Sequence, residues 1–270
     1  MGGRPSPRPH DGCTVGRGLL GGARPGPRRR RPAERCRRGR HVVKRLLLVR
    51  HGESIWNAEA RIQGQSCRGL SPLGFAQAAA TAAALAARYP EAQLVTSDLQ
   101  RTRETVAPLA AALGATPLED RRLRERSFGS WEGRLRREVM HEEADRWQRW
   151  LEGEDVVSEV GGESAAELAD RVAPAFEELV ASTPDGSTTI AVTHGGSIWN
   201  GLHRVLGLPN PTLGGVDNTS LSTLLGHADG LVLGSWNETG HLPEDLRSGA
   251  VARRPLEGQA ASSDAPPVGR

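Results

Sequence analysis

Between about residue 45 and residue 236, short apolar runs alternate with longer stretches of helical spacing. Leu46-Leu47-Leu48-Val49 is a continuous apolar run of strand length, the pattern of a strand buried on both faces. Ser71-Pro72 opens an alanine-rich helix, with serine as cap and proline at the first position, where its missing N–H costs nothing; Pro90 closes it. Leu94-Val95-Thr96 predicts a second strand, and Asp98 predicts the cap of a helix ending before Gly114. A third short strand is expected over 115–118 and a charged helix over about 134–151. Ser164 and Glu167 have capping-box spacing for a helix to about 182, which Pro174 is expected to kink. Thr188 to Thr193 predicts another strand, followed by a helix from about 196 to 206. Residues 219–225 and 231–236 predict paired strands around Ala228-Asp229-Gly230. This alternation predicts an α/β fold, a three-layer sandwich with a mainly parallel central sheet. Ligands of such sheets bind beyond the carboxyl ends of the strands.

Charge changes the picture only once it is located. The 270 residues carry a formal +3. Residues 1–40 hold twelve arginines against Asp11 and Glu34, a balance of +10. The remainder holds 23 basic and 30 acidic residues, a balance of −7. The basic character therefore belongs to an Arg/Pro/Gly-rich segment that is expected to be disordered, since it has too little apolar surface to offset its ordering entropy. That segment is expected to be an extension upstream of a start near Val42 or Val43, with a polyanion-binding arm as the alternative. Residues 241–270 are expected to form a second disordered tail, leaving 41–240 as the domain. An acidic domain disfavours a nucleic-acid partner. No apolar run reaches the length of a membrane span. The three cysteines, Cys13, Cys36 and Cys67, show neither a disulfide framework nor a zinc spacing, so a cytoplasmic setting is expected. His141-Glu142-Glu143 lacks a second histidine four residues on, so no metal and no cofactor is expected.

The candidate chemistry sits at the predicted strand ends. The first strand runs into Arg50-His51-Gly52-Glu53-Ser54, with Asn57 beyond; the second ends in Thr96-Ser97-Asp98, with Arg101 a helical turn later. The strand over Thr188 to Thr193 runs into His194-Gly195-Gly196. Two histidines and two arginines thus converge, with a helix start at Gly195 offering backbone donors. A neutral imidazole attacks phosphorus and splits one hard step into two. Arginine forks match phosphoryl oxygens and stay charged. The leaving alcohol still needs a proton, so a carboxylic acid is expected nearby.

These blocks resemble one family. Leu47 through Asn57, Arg61-Ile62-Gln63-Gly64-Gln65, Ser97 through Thr102, Leu123 through Gly133, Gly161-Gly162-Glu163-Ser164 and Val192 through Gly196 follow in order. Together they are similar to the histidine phosphatase superfamily, in its phosphoglycerate-mutase-like branch. The resemblance implies His51 as the phosphorylated nucleophile, with Arg50, Asn57, Arg101, His194 and Gly195 forming the phosphate pocket. It implies Glu125 as the proton donor, and Gln63 and Arg126 as substrate contacts. Arg121, Arg122, Arg124 and Arg126 flank Glu125 and favour its charged form, so an acid role requires them to point elsewhere. Trp147 and Trp150, three apart on one helix face, are expected to pack with Trp131 over the pocket. Cys67 and Gly69 stand where members of the family commonly carry Asp and Pro.

The implied activity is hydrolysis of a small phosphomonoester through a phosphohistidine. The expected substrate is a sugar phosphate or a phosphoglycerate derivative such as glucosyl-3-phosphoglycerate, because Gly214-Gly215 through Asn218-Thr219-Ser220 is similar to members acting on it. The resemblance leaves broad-specificity and α-ribazole-phosphate phosphatases open as well, and the alternatives to a phosphatase are a 2,3-bisphosphoglycerate-dependent phosphoglycerate mutase and a non-catalytic binding member of the fold. Only about thirty residues separate Gly133 from Glu163, without the long insertion of the mutases, which favours the phosphatase. A homodimer is compatible with the resemblance.

Overall fold

The computed structural model describes residues 43–66 and 68–247. The expectations for residues 1–40, for Cys67 and for 248–270 lie outside the described residues.

Six strands form one sheet: β1 (Lys44–Arg50), β2 (Gln93–Thr96), β3 (Leu118–Glu119), β4 (Thr188–Thr193), β5 (Leu221–His227) and β6 (Gly230–Glu238). Their order is β3-β2-β4-β1-β5-β6. The first four run parallel, and β5 and β6 close the edge antiparallel. Among the described residues seven α-helices join them: α1 (Ile55–Ala58), α2 (Pro72–Arg88), α3 (Gln100–Leu113), α4 (Arg136–Glu142), α5 (Ala144–Leu151), α6 (Ala165–Ser182) and α7 (Gly195–Leu206). The expected three-layer α/β architecture is therefore present.

The apolar run of β1 explains the layering. Leu46 and Leu48 pack with Leu168, Val172 and Phe176 of α6 and with Ile198 and Leu202 of α7. Leu47 and Val49 face the other way, onto Ala82 and Leu85 of α2 and Val106 and Leu109 of α3. Both cores are formed by alternate residues of one strand, each buried leucine contributing about 1.5–3 kcal/mol. A third, smaller core gathers Ile62, Trp131, Val139, Trp147, Trp150, Val156 and Val157. It is built largely from the segment between β3 and α6.

Register positions the chemistry. Along β1 and β4 the pairing runs from Arg45 opposite Thr188 to Arg50 opposite Thr193, so the two strands end level and each delivers a histidine next. His51 N–H continues the ladder to Thr193 O at 2.9 Å, and Ser97 N–H does so from β2 to Val192 O at 3.0 Å.

Several local expectations are corrected. β3 is Leu118–Glu119, not 115–118. The charged helix breaks at Glu143, where backbone angles of φ −126° and ψ 43° end α4 and start α5. α3 is preceded by Leu99 with no side-chain cap, because Arg124 holds the Asp98 carboxylate at 2.6 and 2.5 Å. α6 has the expected Ser164–Glu167 capping box at its start and includes Pro174 within its length. The domain also extends past residue 240: Leu242 is buried, His241 Nε2 lies 3.0 Å from Thr81 Oγ1, and Gln77 donates to Leu246 O. Among the described residues no helix is long and apolar enough to cross a membrane.

Candidate active site

His51 leaves β1 fully buried. Its Nδ1 lies 2.7 Å from Gly52 O. A carbonyl only accepts, so Nδ1 carries the proton and Nε2 keeps its lone pair. Arg101 Nε donates to that lone pair at 3.2 Å. Burial first, then the Arg101 and Arg50 guanidiniums, hold the His51 pKa well below the usual imidazole value. The imidazole is therefore neutral at physiological pH, as a nucleophile must be.

His194 stands beside it, with ring centroids 5.2 Å apart in an edge contact. It is completely buried and lies behind the pocket wall, its Nε2 2.9 Å from Ser97 Oγ. Burial, followed by Arg101 and His51, also keeps it neutral. Two buried nitrogens here, His194 Nδ1 and Arg50 Nε, have no hydrogen-bond partner among the described residues. Unmatched buried polar groups are rare and costly, and the Arg50 N–H beside the cleft suits an anion.

The cleft is lined by Arg50, His51, Asn57, Gln63, Arg101, Glu125 and Gly195, so the structure brings these expected residues together. Asn57 belongs to a capping box at α1, where its Oδ1 accepts from Ser54 N–H at 3.1 Å. Gln63 Oε1 accepts from Ser54 Oγ at 2.8 Å. With both oxygens committed, the groups these amides have left for the cleft are NH2 donors.

Glu125 lines the same cleft as His51 and is carried by the segment after β3. Its Oε1 accepts from Arg126 N–H at 2.9 Å and its Oε2 from Gly196 N–H at 3.1 Å. A side chain at position 196 would collide with it, since a Cβ there lies 2.4 Å from Oε1. The flanking arginines do point elsewhere. Arg124 binds Asp98, Arg122 binds Asp120 and Glu178, and Arg121 reaches Asp98 at 3.6 Å. No neighbour in sequence pairs with the Glu125 carboxylate through a guanidinium among these bridges.

Arg126 is the correction. Expected to contact substrate, it is buried away from the cleft, pairing with Asp155 and donating to Glu163 O at 2.6 Å. Its guanidinium lies 5.7 Å from the centre of the Phe128 ring, and Phe128 itself lines the cleft. Trp150 also lines the cleft, while Trp131 and Trp147 pack behind it at 5.8 and 4.7 Å between ring centres.

The sequence reading missed Arg61, Arg136, Trp199 and Val216, which line the outer cleft. Trp199 stands four residues after Gly195 in α7, one turn along the same face, so helical spacing alone would have found it. Arg61 and Arg136 meet only through tertiary placement.

The last support is the segment between α7 and β5. Asn218 Nδ2 donates to His51 O at 3.0 Å, and Thr219 N–H reaches Arg50 O at 3.1 Å. Thr219 holds φ at +53°, an uncommon and costly conformation for a β-branched residue. That conformation clamps the end of β1 just where the nucleophile begins.

A buried neutral histidine, two arginines and a carboxylate beyond the carboxyl ends of a parallel sheet define an α/β protein built for phosphoryl groups. The model of the histidine phosphatase superfamily, branch 1, matches residues 46–239. A glucosyl-3-phosphoglycerate phosphatase of Mycolicibacterium vanbaalenii is 38% identical over 199 residues, covering 70% of this chain and 88% of that protein. A probable phosphoglycerate mutase of Escherichia coli is 40% identical over 165 residues, covering 61% of this chain and 75% of that protein. Among solved structures, mycobacterial glucosyl-3-phosphoglycerate phosphatase in complex with VO3 is 36% identical, with a TM-score of 0.67 over 73% of this chain and 100% of that one. The chain belongs to the histidine phosphatase superfamily. It is an enzyme of the phosphatase type.

Proposed function

We propose that the protein hydrolyses a small phosphomonoester through a phosphohistidine on His51, with glucosyl-3-phosphoglycerate as the favoured substrate. The observation that carries this is the His51 imidazole itself: buried, neutral, its proton fixed on Nδ1 by Gly52 O, its Nε2 lone pair facing Arg101.

The substrate phosphoryl group enters between Arg50, Arg101, Asn57 and the N-terminus of α7 at Gly195. Arg101 Nε exchanges its bond to His51 Nε2 for one to a phosphoryl oxygen, which frees the lone pair. Nε2 forms the P–N bond as the P–O bond breaks, and the Glu125 carboxyl gives its proton to the leaving oxygen. Water then attacks phosphorus, Glu125 takes its proton, and the P–N electron pair returns to Nε2 as inorganic phosphate forms. His194, held by Ser97, braces His51 from behind the cleft wall. Gln63 offers its NH2 group to the substrate. Nothing in this scheme requires a metal or an organic cofactor.

Relatives at 36–38% identity bear the name glucosyl-3-phosphoglycerate phosphatase. The cleft lining supports that choice, since Trp150, Trp199 and Phe128 suit the face of a sugar ring. We place the activity in the cytoplasm, in keeping with the three cysteines that show no disulfide framework.

The 40% identity to a probable phosphoglycerate mutase keeps a mutase as the second reading. A screen over glucosyl-3-phosphoglycerate, phosphoglycerates and sugar phosphates, with His51→Ala as control, tests the scheme. Release of phosphate by the wild type alone, with acid-labile label trapped on His51, is the expected result. Turnover by His51→Ala overturns the mechanism, and isomerisation of 3-phosphoglycerate dependent on 2,3-bisphosphoglycerate selects the mutase.

A further inference from the structure

The proton donor of the proposed reaction is held by a residue that touches neither substrate nor cleft. We propose that Arg171 of α6 is the positioning residue for Glu125, acting through a guanidinium that gives three donors to the backbone carrying it and two to Glu163; this rests on the phosphatase reading above.

Each N–H of the Arg171 guanidinium has a separate job. Nη1 donates to Arg122 O at 2.7 Å and to Arg124 O at 3.0 Å. Nη2 donates to Glu125 O at 3.4 Å and to Glu163 Oε2 at 2.7 Å. Nε donates to Glu163 Oε1 at 2.8 Å. The bidentate pair with Glu163 fixes the plane of the fork, and the fork fixes three carbonyls in a run of four residues. Glu163 closes the frame from the other side, its N–H reaching Ser127 O at 2.9 Å and its carbonyl accepting from Arg126 Nε at 2.6 Å. Residues 122–127 are thereby tied to one Arg–Glu unit at both ends. No regular strand or helix does this work, because β3 ends at Glu119 and the 3-10 turn ends at Leu123.

The carboxylate of Glu125 has no cation of its own in these contacts. It hangs on two backbone N–H groups, from Arg126 within the clamped run and from Gly196 at the start of α7. Its position relative to His51 therefore follows the position of that run. A lysine at 171 keeps the charge but presents three donors in a tetrahedral head, which cannot serve a carboxylate and three carbonyls in one plane.

The test separates proton donation from phosphate chemistry. A phosphomonoester with an alkoxide leaving group needs the Glu125 proton, whereas 2,4-dinitrophenyl phosphate releases a stable phenolate and does not. Steady-state kcat/KM, which reports steps up to phosphoryl transfer to His51, is measured on both substrates for wild type, Arg171→Lys, Arg171→Met and Glu163→Gln, with Glu125→Gln as reference. The expected result is a loss of about 100-fold on the alkyl ester for both Arg171 variants, with less than about threefold loss on the dinitrophenyl ester. Glu163→Gln, which keeps the shape but weakens the clamp, should lose about tenfold on the alkyl ester alone. Activity on the dinitrophenyl ester serves as the folding control, since it requires Arg50, His51 and Arg101 in place. Equal losses on both esters, no loss on either, or full rescue by lysine would each overturn the positioning role. Failure of the phosphatase reading looks different: the wild type would turn over neither ester, or His51→Ala would match it.

Discussion

Gly196→Ala offers a sharp test of where Glu125 must sit. The added Cβ lies 2.4 Å from Glu125 Oε1 and 3.2 Å from its Cδ. Ordinary contact begins at 3.4 Å, so the carboxylate must retreat by about 1 Å. The backbone at 196 lies in α7 without positive φ, so alanine fits the helix and adds up to about 1 kcal/mol of intrinsic preference over glycine. Displacing a catalytic group by about 1 Å costs about 100-fold in rate. That equals about 2.7 kcal/mol of lost transition-state stabilisation. Stability and activity should thus move in opposite directions. The assay pairs kcat/KM on an alkyl phosphomonoester with thermal unfolding of the same preparation. A variant as active as wild type would refute the placement of the acid. Loss of activity together with a lowered Tm would point instead to a damaged α7, and would refute the local argument.

Arg126→Met should act on stability rather than on substrate, because Arg126 is buried outside the cleft and its loss strands Asp155 and Glu163 O. Asp155 is 33% exposed, so the cost is discounted to about 2–3 kcal/mol, or about 5–10 °C in Tm, with KM unchanged. A raised KM at unchanged Tm would return Arg126 to the substrate. The pH dependence of stability follows from His51 and His194, both held neutral with folded pKa values well below the unfolded value. The unfolded chain then binds more protons below about pH 6.5, so stability falls as pH drops through that range. Between pH 7.5 and 5.5 the two groups together remove about 2–3 kcal/mol, read as a lower urea midpoint. Flat stability across that interval would show that the two histidines take up protons alike in the folded and unfolded states, and would refute the lowered folded values.

Much of the fold can be read from local rules because the residues concerned answer to their immediate neighbours. The β1 run, the Ser71-Pro72 start and the Ser164–Glu167 box are of this kind, and each sits where its pattern says. Three of the failures, at Asp98, Glu143 and Arg126, share a physical cause, which is a polar side chain claimed by a distant partner. Asp98 would cap α3, but a guanidinium 26 residues away forms two bonds with it and outcompetes one backbone N–H. Glu143 interrupts a helical pattern because its carboxylate accepts from Trp131 Nε1 at 3.0 Å and pairs with Arg134 and Arg146. Arg126 has the right motif and the wrong direction, since Asp155 lies outside any recognisable spacing. The convergence of Arg50, His51 and Arg101 is legible because strand ends in a parallel sheet converge by topology, whatever the loops do. The outer arginines, Arg61 and Arg136, obey no such rule.

The small tryptophan core between β3 and α6 divides the cleft between separately packed parts of the molecule. His51 and His194 follow β1 and β4, whose register is fixed by the two large cores. Phe128 and Trp150, which line the cleft, belong with the third cluster, whose rings pack on one another. A substitution at either ring is expected to reshape one wall of the cleft without passing through the two cores that set the strand ends.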